Sequence, residues 1–203
     1  KITDTIIVNA MMPIMIEGSG KYGTIFEVDT GLENKPMFDI RSKCSFYRVG
    51  FDGTLAGWAA TNGKFLYYNT TAITSVLNNI RFDSCKIAIG AYKGVRINAI
   101  DLIFDTCGTG LHVETTETPI IHLTAAVEFN DCAKGINLVQ AVLARFVFNG
   151  IIFNNPLAGV AITYAGASIT YEKYSIINCT YIFYTLTLSY TILHYLTLSY
   201  TIL

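Results

Sequence analysis

The chain has 203 residues, enough for one domain with at most an appendage, and enough to bury a core without disulfide or metal staples. Charged residues are 14% of the chain and hydrophobic ones 52%, which excludes intrinsic disorder. Fifteen acids against fourteen bases leave a net charge of −1, so neither nucleic acid nor an anionic membrane is an expected partner.

The 16 glycines, 13 tyrosines and 12 phenylalanines, with many Ile, Val and Thr, favour strands over helices. The chain starts at Lys1 without a methionine, so it is expected to be a processed or excerpted product, and no basic start followed by an apolar run and a small-residue cleavage site is visible. Ile6-Ile7-Val8 reads as a strand. Pro13 to Ile16 and Gly23 to Val28 read as two more, separated by Glu17-Gly18-Ser19-Gly20. The Gly18-x-Gly20-Lys21 string lacks the spacing and the following helix of a phosphate-binding loop. Met37-Phe38-Asp39-Ile40, Cys44-x-Phe46 and Gly50-Phe51-Asp52-Gly53 continue the same rhythm. Trp58, the only tryptophan, follows in a Gly57-Trp58-Ala59 loop, and Tyr67 and Tyr68 come shortly after.

From residue 80 onward an internal repeat organises the chain. Phe82-Asp83-Ser84-Cys85 recurs as Phe104-Asp105-Thr106-Cys107 and Phe129-Asn130-Asp131-Cys132, then as Phe153-Asn154-Asn155-Pro156, and weakens to Ile176-Ile177-Asn178-Cys179. A unit of about 23 residues cannot bury an apolar face alone, so the units must stack. A leucine-rich repeat and a parallel β-helix both have units of this size. Between the motifs, Ile87, Ile89, Val95 and Ile97 alternate with period two, as do Leu111, Val113, Ile121 and Leu123. That pattern is strand, turn, strand, about three strands per coil, and it favours the β-helix. Only residues 136–147 resemble a helix. The Phe positions are expected to form an internal stack, and Cys85, Cys107, Cys132 and Cys179 a ladder of buried free thiols. Asp83, Asp105, Asn130 and Asn154 are expected to form a turn ladder, short polar side chains being at home in left-handed turns.

Tyr174 to Leu203 contains no Asp, Glu, Lys or Arg, and Leu186–Leu193 is repeated unchanged at Leu196–Leu203. The alternation of Leu, Tyr and Ile with Thr and Ser reads as an amphipathic strand and argues against a membrane-spanning helix. Exposed, such a strand pairs with another chain. The chain therefore divides into a β-helix, residues 1–184, and a strand repeat, residues 185–203, that serves as a cap or oligomer contact. A homo-oligomer, expected to be a trimer, or contact with other subunits follows from that segment.

Over roughly residues 6–184 the sequence resembles right-handed parallel β-helix proteins of the pectin-lyase-like type. The resemblance rests on Ile14-x-Ile16-Glu17-Gly18-x-Gly20, Gly23-Thr24-Ile25, Met37 to Ile40, Cys44-x-Phe46 and Gly50 to Gly53. In style it is closest to virus and phage tail-spike or fibre proteins. It implies an all-β solenoid at the cell exterior or virion surface in contact with cell-surface polysaccharide. The expected function is structural attachment through glycan binding, with a polysaccharide lyase or glycoside hydrolase as the alternative.

Enzymes of this type use clustered acids, and hydrolysis needs two carboxyls about 5–9.5 Å apart. Asp83 and Asp105 are the candidate pair. The family's Asn-Thr-Asp, Asp-Asp, Gly-His-Gly and Arg-Ile-Lys strings are absent, and Arg96-Ile97-Asn98 is the nearest approach. Exposed aromatics stack on sugar rings, so Trp58, Tyr67 and Tyr68, with Tyr47, are the candidate glycan platform. His112 and His122, with Glu114 and Glu117, are a candidate polar patch. No cofactor is expected. No metal is expected either, since no Cys-x-x-Cys or His spacing accompanies the cysteines.

Overall fold

The structure is a computed structural model that describes residues 1–29, 32, 34–56, 63–71, 73–139, 145–154, 160–163, 168–177 and 181–184. Two parallel sheets face each other. The first, with short strands, runs in the order β1 (Ile6–Val8), β4 (Pro36–Ile40), β6 (Lys64–Tyr68), β8 (Ile87–Ala91), β10 (Thr109–Glu114), β12 (Lys134–Val139), β14 (Val160–Thr163) and β16 (Tyr181–Tyr184). The second runs from β2 (Ile14–Glu17) through β5 (Cys44–Asp52), β7 (Thr74–Asp83), β9 (Arg96–Asp105) and β11 (Ile120–Asn130) to β13 (Arg145–Asn154) and β15 (Ser168–Ile177). β3 (Ile25–Glu27) pairs with the second half of β5. Chain order alternates between the sheets, so successive coils stack as a parallel β-solenoid. Among the described residues there is no α-helix. The stretch that resembled one holds strand β12 and the start of β13, and residues 140–144 lie outside the described residues.

The coil differs in one respect from the expected three strands. It has one short strand and one long strand, and the long one bends. Arg48, Asn79 and Asp101 sit in the left-handed region at φ of 54°, 57° and 53°, and Ala125 and Ala126 do so together at 58° and 52°. Each bend lies just before Val49, Ile80, Leu102 and Val127, which are paired in register. The second corner also differs from expectation. The left-handed residues are Ser84, Thr106 and Asp131 (φ of 55°, 54° and 52°), each one place after the acid or amide. Their amides donate to the carbonyls of Asp105, Asn130 and Asn154 in the next coil, at 3.1, 2.9 and 3.0 Å. The coil-to-coil bonds compensate for the strained φ.

The core follows the repeat. Phe51, Phe82, Phe104, Phe129 and Phe153 are fully buried and stack at centroid spacings of 5.1, 5.1, 4.5 and 4.9 Å, close to the distance between paired strands. Each such ring contributes about 1.5–3 kcal/mol by leaving water. Gly110 shows how tightly they pack. It occupies the inward place that Phe65 and Ala88 fill in earlier coils, and a Cβ there would meet the Phe129 ring at 2.5 Å. Cys44, Cys85, Cys107 and Cys132 are buried thiols that form no disulfide, with Cys85 and Cys107 sulfurs 3.5 Å apart. Burial raises the Cys44 thiol to about 11 and also raises Cys85 and Cys107. Cys179 lies outside the described residues.

Candidate functional site

In each short strand one residue lies between two inward apolar neighbours and therefore points outward. Asp39 lies between Phe38 and Ile40, Tyr67 between Leu66 and Tyr68, Gly90 between Ile89 and Ala91, His112 between Leu111 and Val113, and Asn137 between Ile136 and Leu138. Strand register puts Asp39, Tyr67, Gly90, His112 and Asn137 in one row across the sheet. Gly90 leaves a gap in that row, and the Tyr92 ring fills it: a Cβ on Gly90 would meet that ring at 2.6 Å. The result is a continuous outer stack, with Tyr67 and Tyr92 at 4.8 Å between centroids and Tyr92 and His112 at 5.6 Å.

Polar groups flank the stack at both ends. Arg41 donates to Asp39 Oδ2 from Nε at 2.9 Å and from Nη2 at 2.5 Å. Asp39 Oδ1 is buried and has no hydrogen-bond partner among the described residues. At the other end, Asn137 Nδ2 lies 2.9 Å from His112 Nδ1 and can only donate to it. That leaves His112 Nε2 to carry the hydrogen, which it donates to Glu114 Oε2 at 3.1 Å. Burial lowers the His112 pKa, the Glu114 contact opposes this, and Lys134 and Lys64 add to the lowering. Burial and the Asn137 contact both favour the neutral ring. Burial also raises Tyr67, with Asp39 adding to it, and raises Tyr92 well above the usual phenol range, helped by Glu114. Both phenols therefore remain hydrogen-bond donors at physiological pH. An open cleft of about 490 Å³ adjoins the stack, lined by Tyr92, Lys93, Glu114, Thr115, Thr116 and Glu117.

The expected site residues separate. Tyr67 is part-exposed in the stack, but Tyr68 has no exposed surface, and its hydroxyl lies 2.9 Å from Ser75 Oγ inside the core. Period-two alternation sends adjacent tyrosines to opposite faces, so Tyr68 cannot contact a sugar. Tyr47 is on β5, in the other sheet. Trp58 lies outside the described residues. His122 is likewise on the bent sheet, paired with Asn98, and does not join His112 and Glu114. Among the described residues no group of three or more His, Cys, Asp or Glu side chains gathers to hold a metal ion.

Asp83 and Asp105 do lie side by side in register. Arg81 bridges them, with Nη2 at 2.5 Å from Asp83 Oδ2 and Nε at 2.7 Å from Asp105 Oδ2. Ser84 Oγ donates to Asp83 Oδ1 at 2.8 Å, and Asn130 Nδ2 to Asp105 Oδ1 at 3.0 Å. Burial works against the Arg81 charge, but the two carboxylates outweigh it and hold the guanidinium above its ordinary pKa. All four carboxylate oxygens are engaged, which is the bonding of a structural ladder.

Asp39, Arg41, Tyr92 and Asn137 were not among the sequence candidates. The signal for Asp39 and Asn137 was present, as the polar residue between two inward apolar ones. Tyr92 gave no such signal, because its ring reaches back over the glycine two places earlier. No family model matches the chain, and neither a curated protein nor a solved structure does.

Proposed function

We propose that this solenoid is a structural, surface-exposed attachment protein that binds cell-surface glycan on the outer face of its short-strand sheet, as a viral spike or fibre subunit does. The observation that carries the reading is the Tyr67–Tyr92–His112 stack, two part-exposed tyrosine rings and the buried His112 ring tilted against one another along a rigid row with donors and acceptors on either side. Aromatic faces take sugar rings by stacking, and the polar rim orients them. A solenoid is suited to this because paired coils fix the spacing of successive rings. Binding is favoured over lyase or hydrolase chemistry because Asp83 and Asp105 spend every carboxylate oxygen on neighbouring side chains. Self-assembly through residues 186–203 belongs to the same proposal. It requires the oligomer mass in light scattering to fall when that segment is deleted.

The test is a panel of immobilised cell-surface glycans probed with the intact chain and with Tyr67→Ala. The intact chain is expected to bind a subset, and Tyr67→Ala to lose about tenfold or more of that affinity with an unchanged thermal melt, since stacking is worth about 1 kcal/mol or more. Binding that Tyr67→Ala leaves untouched would remove this face from the function.

A further inference from the structure

The open end of the stack carries a more specific inference, which rests on the glycan reading. We propose that Asp39 Oδ1 is a specificity-determining acceptor for a sugar hydroxyl, and that this face selects a neutral pyranose over an acidic one.

The Asp39 side chain is only 10% exposed, and one of its two oxygens is satisfied twice by Arg41 while the other is buried without a partner among the described residues. A buried acceptor without a donor is costly, so a ligand that supplies one gains more than it would at an exposed oxygen. The other carboxylates with comparable surroundings, Asp83, Asp101 and Asp105, each have both oxygens bonded. Asp39 is therefore different from its counterparts in the same protein.

Its position fits a sugar. Asp39 pairs with Tyr67, so its side chain stands one strand spacing, about 4.8 Å, from the ring that opens the stack. A pyranose lying over Tyr67 spans that distance with its ring hydroxyls. Arg41 is about half exposed and Tyr67 part-exposed, so both neighbours of Asp39 have room to shift and admit a hydroxyl to Oδ1.

The charge argues for a neutral ring. Arg41 cancels the Asp39 charge and leaves an acceptor, which matches an O–H donor and gives a metal ion little to hold. A sugar carboxylate brought to Oδ1 has no proton to give it, so acceptor meets acceptor there, and the exposed Glu114, whose charge reaches Tyr67, adds repulsion from the other side. Lys64 stands three residues before Tyr67 on the same strand, about 10 Å along it, and Lys134 lies on the strand after His112, so neither is set at Oδ1.

The experiment is calorimetric titration of the full chain with gluco-, galacto- and manno-oligosaccharides and with the corresponding uronate oligosaccharides. The best neutral ligand should bind about tenfold or more tighter than its uronate counterpart, and Asp39→Asn, which puts an N–H₂ where the acceptor was, should weaken it by a similar factor. A monodeoxy analogue lacking the donating hydroxyl should show the same loss on the unmodified chain and no further loss on Asp39→Asn. That series on the unmodified chain decides the matter even if Asp39→Asn folds poorly. Tighter uronate binding, a calcium requirement, or no monodeoxy position with a loss overturns the assignment. If Tyr67→Ala abolishes binding while Asp39→Asn does not, the face binds sugar and Asp39 is not its acceptor. If no saccharide binds, both readings fall.

Discussion

Phe-Asp occurs at Phe38-Asp39, Phe51-Asp52, Phe82-Asp83 and Phe104-Asp105, and the same dipeptide has two fates. In the last three, the aspartate ends a long strand of the bent sheet, and a corner residue, Gly53, Ser84 or Thr106, follows. At Asp39 the strand continues inward with Ile40, and the acid lies within the outer row of the short-strand sheet. At Asp83 and Asp105 the neighbours use the oxygens to tie one coil to the next, with Arg81, Ser84 and Asn130 accounting for all four, while Asp52 accepts from the Thr54 amide two places on. Where the acid lies mid-strand beside an aromatic stack, one oxygen is left over. The first arrangement serves stability and the second recognition, and the identity of the residue does not distinguish them. Its partners do.

The comparison predicts that the bent sheet carries the stability, and its Phe stack is the place to test this hardest. Phe104 lies between Phe82 at 5.1 Å and Phe129 at 4.5 Å with no exposed surface. Phe104→Ala is expected to cost about 3–5 kcal/mol in denaturant melts, because strands bonded on both sides cannot collapse into the cavity. A loss below about 1 kcal/mol would mean that the stack does not hold the coils together. The corresponding deletion on the other face, Tyr67→Ala, should leave the melt nearly unchanged.

Arg81 sharpens the same contrast at a smaller scale. Its side chain is 23% exposed, so its two ion pairs are neither fully solvated nor deeply buried. Arg81→Met leaves Asp83 and Asp105 adjacent and without their shared cation, which should cost about 1–3 kcal/mol. Adding Asp105→Asn should recover part of that loss, because it removes one of the two facing charges. A double-mutant cycle in urea measures the coupling. Additive losses would show that the bridge is decorative and that the acids hold their geometry without it.

Much of the fold was legible because the repeat acts through one strong constraint. A Phe every 22 to 25 residues cannot be buried except by stacking coils, and the intervening Ile and Val alternate with period two. What was not legible depends on single backbone choices. Nothing in Arg48, Asn79, Asp101 or Ala125 announces a shared left-handed bend, since the four residues have no common chemistry. The site was half legible for a similar reason. Tyr67 was visible as an aromatic, but its separation from Tyr68 follows only once the inward register is known. Tyr92 belongs to the stack through the absence of a side chain at Gly90, a contact between rows that a linear reading does not weigh.

The smallest expected effect lies at the far end of the recognition face, where the comparison turns on protonation. His112 faces the Tyr92 ring, Glu114 and Asn137, with Lys64 and Lys134 near enough to disfavour a positive charge. Burial lowers its pKa in the folded chain, whereas the unfolded ring returns to about 6.5. As pH falls, the unfolded chain therefore takes up the proton first, and protonation pulls the equilibrium toward unfolding. The contribution of His112 to stability is complete above the unfolded pKa and is lost as pH falls through the folded one. His112→Gln removes the titration while keeping an amide for Asn137 and Glu114, and the difference between the two proteins cancels every other group. In urea melts between about pH 7.5 and 5.5, the advantage of the unmodified chain over His112→Gln should shrink steadily on acidification. An advantage that grew instead would mean that the Glu114 pair outweighs burial, and that the face carries a cation at the position where a neutral ring is assigned.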